Sequence, residues 1–228
     1  MNVAIIPARG GSKRIKNKNV KMFSGNPIMH YSIKAAIDSK LFDQVIVSTD
    51  SELIANTAKD LGASVPFMRP AELSDDHTAT APVITHTLEW LLKNGFNPEF
   101  ACCIYATAPF VRTTDLIEGF KLVKEGKTSS SFAVTSFPFP IQRALKITSD
   151  DQLEMFWPEH ENTRSQDLPE AYHDAGQFYW INCQSFIKEP RFYTNESRPV
   201  ILPRHLVQDI DTLEDWETAE FMYKLLNR

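Results

Sequence analysis

The chain has 228 residues, three of them cysteines, and its 24 basic against 29 acidic side chains leave a net charge of −5. That length supports one sizeable core rather than two, and the acidic balance excludes indiscriminate binding to nucleic acid or anionic membrane as the main activity. No apolar run reaches the ~18 residues of a membrane span, and "NVAIIP" at the start has no signal-peptide pattern, so a cytoplasmic location without membrane or nucleic-acid partners is expected. Cys102, Cys103 and Cys183 cannot all pair, and no CxxC or Cys/His cluster is present, so they are expected to be buried apolar thiols.

In chain order, "NVAIIPA" is an apolar run ended by Pro and Gly, "IMHYSIKAAIDS" carries apolar residues at helical spacing, and "FDQVIVSTD" is a second short β-branched run. Together they predict a βαβ unit. The alternation continues with a helix at "SELIANTAKDLG", a short strand at "ASVPF", a helix through "TAPVITHTLEWLLKNG", a strand at "FACCIYA", a helix at "TTDLIEGFKLVKEG" and a strand at "SSSFAVTSF". Strands apolar on both faces between amphipathic helices predict a mostly parallel sheet covered on both sides.

The rhythm changes after "FPFPIQ". Residues 143–156 predict a hairpin around "SDDQ", followed by a polar, irregular stretch from Trp157 to Asp174. The whole excursion, about 138–175, is too short for its own core, so residues 1–228 are expected to form one domain carrying an inserted arm. The chain returns through a strand at "GQFYWIN", where alternation is expected to bury one face. It ends in a helix whose stripe is Leu213, Trp216, Ala219, Tyr223 and Leu226.

The most informative stretch is "VAIIPARGGSKRIKNKN", residues 3–19, where Arg9, Lys13, Arg14, Lys16 and Lys18 gather within ten residues of an otherwise acidic chain. In an open α/β sheet, ligands bind beyond the carboxyl ends of the strands, and the loop after the first strand is a common phosphate cradle. Gly10 and Gly11 allow close backbone approach to an anion, Ser12 adds a hydroxyl, and the cations suit a polyphosphate. The loop has neither G-x-x-x-x-G-K-[ST] nor G-x-G-x-x-G, which argues against a P-loop hydrolase or an ordinary dinucleotide enzyme. The competing reading is a solvated basic turn.

"IIPARGGSKRIKNKN" resembles the N-terminal signature of the CMP-sialic acid synthetase family, cytidylyltransferases that activate nine-carbon acidic sugars. "CCIYATAPFVR", "NTRSQDLPEAYHDAGQFYW" and "DIDTLEDW" extend the resemblance, in order, over essentially the whole chain. Within the family the segments look most like the branch acting on pseudaminic acid. Enzymes for N-acetylneuraminic or legionaminic acid usually read QPTSP where this chain has Tyr105-Ala106-Thr107-Ala108-Pro109, and NGA where it has Asp174-Ala175-Gly176. The resemblance implies a Rossmann-like, mostly parallel sheet of the nucleotide-diphospho-sugar transferase type with a small β-rich dimerisation arm. It also implies a homodimer and the reaction of CTP with a nonulosonic acid to give the CMP-sugar and pyrophosphate. Such an in-line displacement relies on positioning and on cations that stabilise the leaving pyrophosphate.

By the same resemblance, Ala8, Arg9, Gly10, Gly11, Ser12, Lys13, Lys18 and Asn19 belong to the nucleotide site, with Lys18 the residue expected to stabilise the transition state and Arg9 and Asp209 as its catalytic companions. Arg69, in "FMRPAELSDDHTATAP", falls near the cytosine base with Thr78 and Thr80; taken alone it reads as a surface ion pair with Glu72 or Asp75. Arg164 is the expected partner of the sugar carboxylate, and Tyr105, Thr107, Gln166, Tyr172, His173, Asp174, Gln177 and Tyr179 form the expected sugar-binding set. Asp209 and Asp211, two apart in an extended "QDID", can share a hard cation, for which Mg2+ is the natural choice. Asp211 or Thr212 also reads as a helix N-cap in a capping box with Glu214. His30 and His86 fall on predicted helices and read as structural, and no residue stands out as a general base. The alternatives are transfer of CMP to N-acetylneuraminic or legionaminic acid and, in a different class, a non-catalytic nucleotide- or RNA-binding protein.

Overall fold

The computed structural model describes residues 1–126 and 128–227. In chain order the strands are β1 (Asn2–Pro7), β2 (Met22–Phe23), β3 (Asn26–Pro27), β4 (Gln44–Ser48), β5 (Phe100–Ile104), β6 (Ser130–Ser136), β7 (Leu145–Ile147), β8 (Leu153–Met155), β9 (Tyr172–Asn182) and β10 (Arg198–Ile201). The helices are α1 (Met29–Ser39), α2 (Glu52–Asp60), α3 (Thr80–Lys93), α4 (Thr113–Glu125), α5 (Cys183–Lys188) and α6 (Leu213–Leu226). A six-stranded sheet runs in the order β10-β6-β9-β5-β1-β4. Neighbours β1/β4, β1/β5 and β10/β6 are parallel, while β9 is antiparallel to both β5 and β6.

Period-two alternation in β1 assigns each residue to one of two cores. Ala4 and Ile6 pack with Met29, Ile33, Ala58 and Leu116 of α1, α2 and α4, whereas Val3 and Ile5 pack with Ile84, Leu88, Leu91 and Phe186 of α3 and α5. Both faces of the sheet are therefore covered, as the apolar strands require. A third cluster, Phe23, Ile28, Phe110, Trp216 and Ala219, fastens α6 and the β2–β3 hairpin near the loop that follows β1. That hairpin turns through Ser24 and Gly25, both at positive φ, the geometry of a two-residue primed turn. The three cysteines are free and buried, as expected, and burial pushes the Cys183 thiol up to about 12.

Several expectations are corrected. "ASVPF" forms only a single bridge, Ser64 to Ile46, because Pro66 cannot extend a ladder. The return strand starts at Tyr172, so residues 172–175 belong to the sheet and the excursion ends before them; β6 holds this first part of β9 across an irregularity between Phe132 and Val134. Phe178, Tyr179, Trp180 and Ile181 are all buried, because β9 lies inside the sheet with a core on each face. On α6, Trp216 and Ala219 are buried, whereas Leu213 and Leu226 are exposed. The β7–β8 hairpin forms as expected in the excursion, away from the main sheet.

Candidate active site

The carboxyl ends of β1, β4, β5 and β6 share one edge of the sheet. Because β9 runs the other way, it brings its first residues to that same edge, Tyr172 facing Ser136 and Phe178 facing Ile104. Two adjoining cavities open there and share Tyr105, Thr107 and Asp211. The smaller, about 210 Å³, is lined by Arg9, Ser12, Lys13, Arg14, Lys18 and Asn19. The larger, about 700 Å³, is lined on its polar side by His173, Asp174, Gln177, Tyr179, Asp209 and Asp215, besides the shared residues. A cationic cleft therefore runs into an acceptor-rich one.

The basic loop is tethered at both ends. The Ala8 N–H donates to the Ser48 carbonyl at 2.9 Å, and the Asn19 side chain donates to the Arg9 carbonyl at 2.9 Å from a buried position. Gly10 donates its N–H to Asp50 at 2.8 Å, so this glycine orients the loop rather than leaving that donor for an anion. A Cβ on Gly10 would lie 3.0 Å from the Cβ of Ser51, a closeness real side chains avoid, whereas Gly11 faces open space. Lys18 is only 19 % exposed at its side chain and donates to the Ile210 carbonyl at 2.7 Å. The loop after β1 is thereby locked to the segment before α6.

Each forward cation of the loop has an internal counter-anion. Arg9 pairs with Asp76 at 2.7 Å and Lys13 with the same carboxylate, while Asp211 lies 2.9 Å from Arg14 and 3.3 Å from Lys18. The Lys13 hydrogen bond and the charges of Lys13 and Arg9 hold the Asp76 carboxyl below the usual carboxylate range. Apart from the better-buried Lys18, these groups are open to solvent, so their pairs are worth little in water, and a polyphosphate can replace the carboxylates as the counter-anion.

Arg69 is 6 % exposed and is not the expected surface pair with Glu72 or Asp75. Its Nε donates to Ser74 at 3.1 Å, its Nη2 lies 3.9 Å from Asp50 and has no hydrogen-bond acceptor among the described residues, and burial lowers its pKa. Thr80 places its hydroxyl 3.5 Å from that of Tyr105 and Thr78 donates to Asp75, but Arg69, Thr78 and Thr80 all lie outside the lining of the two cavities.

In the larger cavity Tyr179 donates to both oxygens of Asp174 at 2.8 Å, and Gly176, at φ +63°, donates its N–H to the same carboxylate at 2.7 Å. Burial first, and then Tyr105 and Asp174, raise the pKa of Tyr179, while burial and then Cys103 raise that of Tyr105 against the opposing hydrogen bonds of Thr80 and Tyr179, so both stay protonated throughout the ordinary pH range. The capping box at α6 is made by Thr212 with Asp215, not by Asp211 with Glu214. That division leaves the Asp211 side chain to the cleft. Asp209 is exposed and carries no ion pair among the described residues.

Three expected sugar contacts do not reach these cavities within one chain. Arg164 and Gln166 lie exposed on the excursion, at its 3-10 turn, and Tyr172, while donating to Glu170, lines with Phe132 and Tyr193 a neighbouring groove that shares His173 and Asp174 with the larger cavity. Alternation along β9 puts Tyr172 on the same face as Asp174, two residues away, but Tyr172 sits farther along the strand and lines that groove and not the larger cavity. His30 and His86 line neither cavity; each packs edge-on against an aromatic ring, Tyr31 and Phe67 respectively. Two participants were not anticipated, Asp50 and Asp76. Asp50 was accessible to the argument used for the basic loop, since "STD" also ends a strand at the ligand-binding edge.

The chain matches the family model described as "Cytidylyltransferase" over residues 3–225. It is 41 % identical over 224 residues to the pseudaminic acid cytidylyltransferase of Campylobacter jejuni, covering 98 % of this chain and 97 % of the relative. It is 30 % identical over 234 residues to the CMP-N,N'-diacetyllegionaminic acid synthase of Legionella pneumophila, covering 98 % and 96 %. Among solved structures, CMP:2-keto-3-deoxy-manno-octonic acid synthetase in complex with CTP shares the fold with a TM-score of 0.71 at 13 % identity, over 98 % of each chain. Sheet order, position of the basic loop and full-length similarity agree, and the chain belongs to the cytidylyltransferase family.

Proposed function

We propose that this protein condenses CTP with pseudaminic acid, releasing pyrophosphate and giving CMP-pseudaminic acid. The observation that carries the reading is the pair of cavities joined at Tyr105, Thr107 and Asp211, one lined by cations and the other by sugar-sized acceptor groups. The full-length identity to a pseudaminic acid cytidylyltransferase selects the sugar. In this reading Arg9, Lys13 and Lys18 hold the triphosphate in place of Asp76 and Asp211, and Ser12 adds a hydroxyl. Lys18 is the cation for the transition state, because negative charge grows on the departing pyrophosphate and a preset, poorly hydrated ammonium stabilises it without reorganisation. Arg69, whose buried Nη2 meets no acceptor among the described residues, suits the N3 acceptor of cytosine, and because uracil carries an N–H at that position the contact separates cytidine from uridine.

The residues also fit a divalent cation. Asp209 and Asp211 line the same cavity at the junction with the basic cleft, and no group of three potential ligands exists among the described residues, so two carboxylates would hold Mg2+ and phosphate oxygens would complete its shell. When bound, the ion supplies further neutralisation of phosphate charge. Reaction on CTP fits a cytoplasmic location.

Among the described residues, the lining of the larger cavity includes Asp174, Asp209, Asp211 and Asp215 but neither lysine nor arginine. A sugar carboxylate needs a cation there, and Arg164 does not reach it within the chain. We therefore keep the homodimer as part of the proposal, with the excursion of a second copy completing the sugar site. Purified protein given CTP, pseudaminic acid and a magnesium salt is expected to release pyrophosphate, and EDTA to stop it. Release that ignores the sugar would contradict the reading.

A further inference from the structure

Gln177 is 5 % exposed and lines the larger cavity. Its backbone carbonyl accepts from Tyr105 N–H at 3.0 Å, and its side-chain Nε2 donates to the Leu206 carbonyl, so neither end of the residue is free to move. Its Oε1 is buried and meets no protein donor among the described residues. Rotating the amide by half a turn brings no relief, because it sets Oε1 against the Leu206 carbonyl, acceptor against acceptor, and forfeits the existing bond. A buried carbonyl without a donor is uncommon and costly, and on a residue that lines a cavity a ligand donor that settles against the wall can satisfy it.

The surrounding wall narrows the chemistry of that ligand. Asp174, three residues nearer the start of β9, is already engaged through both oxygens by Tyr179 and through one by Gly176, so its negative charge is fixed on the wall that Gln177 also lines. The wall presents acceptors, and it repels a carboxylate. We infer that Gln177 is a specificity-determining residue whose Oε1 accepts an N–H or O–H from a neutral substituent of the sugar, and that the acylamino edge of the sugar faces β9 with its carboxylate turned away. This rests on the reading of the larger cavity as the sugar site.

The test is a substrate series at saturating CTP, scored as kcat/KM from pyrophosphate release. It compares pseudaminic acid with analogues in which one acetamido N–H is replaced by an ester oxygen, and with analogues lacking one hydroxyl; the two arms separate the N–H from the O–H source. One analogue is expected to lose about ten- to a hundredfold in the native protein, since a missing donor strands a buried acceptor. The penalty is expected to shrink to less than about threefold in Gln177→Met or Gln177→Leu, whichever retains CTP binding, because no acceptor is then left to strand. Analogues all within about threefold of the parent in the native protein would overturn the assignment, and that arm needs no variant. So would a penalty that persists undiminished in a folded variant. Absence of pyrophosphate release with pseudaminic acid itself is a different result, and it would overturn the functional reading together with this assignment.

Discussion

Lys18 reaches its position through two constraints that have nothing to do with a ligand. Asn17, in the left-handed conformation, turns the chain so that Lys18 opens a short 3-10 turn, and the Ile210 carbonyl then fixes its ammonium at 2.7 Å. A flexible side chain thus enters the cleft with most of its rotamer freedom already lost. Lys18→Met is expected to lower kcat/KM by about 10²- to 10³-fold with little change in melting temperature, measured by pyrophosphate release and thermal unfolding. An unchanged rate would remove Lys18 from the transition state. The basic loop and the Asp209/Asp211 pair were legible in the sequence because charge density and spacing are local properties. The counter-anion Asp76 was not, since it meets Arg9 and Lys13 from a segment distant in sequence, and neither was the failure of Arg164 to reach the site, which depends on where an irregular excursion is directed.

The decisive element is β9, which reverses direction inside an otherwise parallel sheet and so delivers Asp174 and Gln177 to the edge where β1 delivers the basic loop. Its neighbour α4 approaches unusually closely, because Gly119 sits under Trp180. A Cβ there would lie 2.8 Å from the indole and 2.9 Å from Phe178, so Gly119→Ala is expected to destabilise the fold by about 1–3 kcal/mol through overpacking, read as a lower melting temperature. On the other face, burial lowers the pKa of His86, as do Lys93 and Arg69, against the opposing pull of Glu89 and Glu72. The folded value lies below the ordinary one of about 6.5, so the unfolded chain takes up the proton first and stability falls as pH drops below that value. His86→Phe is expected to flatten the decline in melting temperature between about pH 6.5 and 5; an unaltered slope would show that the decline originates elsewhere. Most helices and parallel strands were readable from periodicity. The short α5 and β10 were not, because six and four residues carry too little pattern and their formation depends on packing against β9 and β6.

For the whole molecule, the excursion between β6 and β9 is the part the single chain leaves unsatisfied. Phe139, Ile147 and Leu153 are each 70 % or more exposed on or beside its hairpin, far more than a monomer gains by showing to water. In the proposed homodimer a second copy would cover these side chains and would also supply a cation to the larger cavity. Light scattering is accordingly expected to give twice the chain mass of 26.0 kDa, and Ile147→Lys with Leu153→Lys to halve it while sparing CTP binding. A monomeric native protein with full activity would exclude this arrangement. The central claim concerns what the two joined cavities hold together, and the most direct measurement compares pseudaminic, legionaminic and N-acetylneuraminic acids in parallel with CTP and with UTP. Pyrophosphate release is expected to be greatest with CTP and pseudaminic acid and to fall off with either change. Equal release with all three sugars, or with UTP in place of CTP, would contradict it.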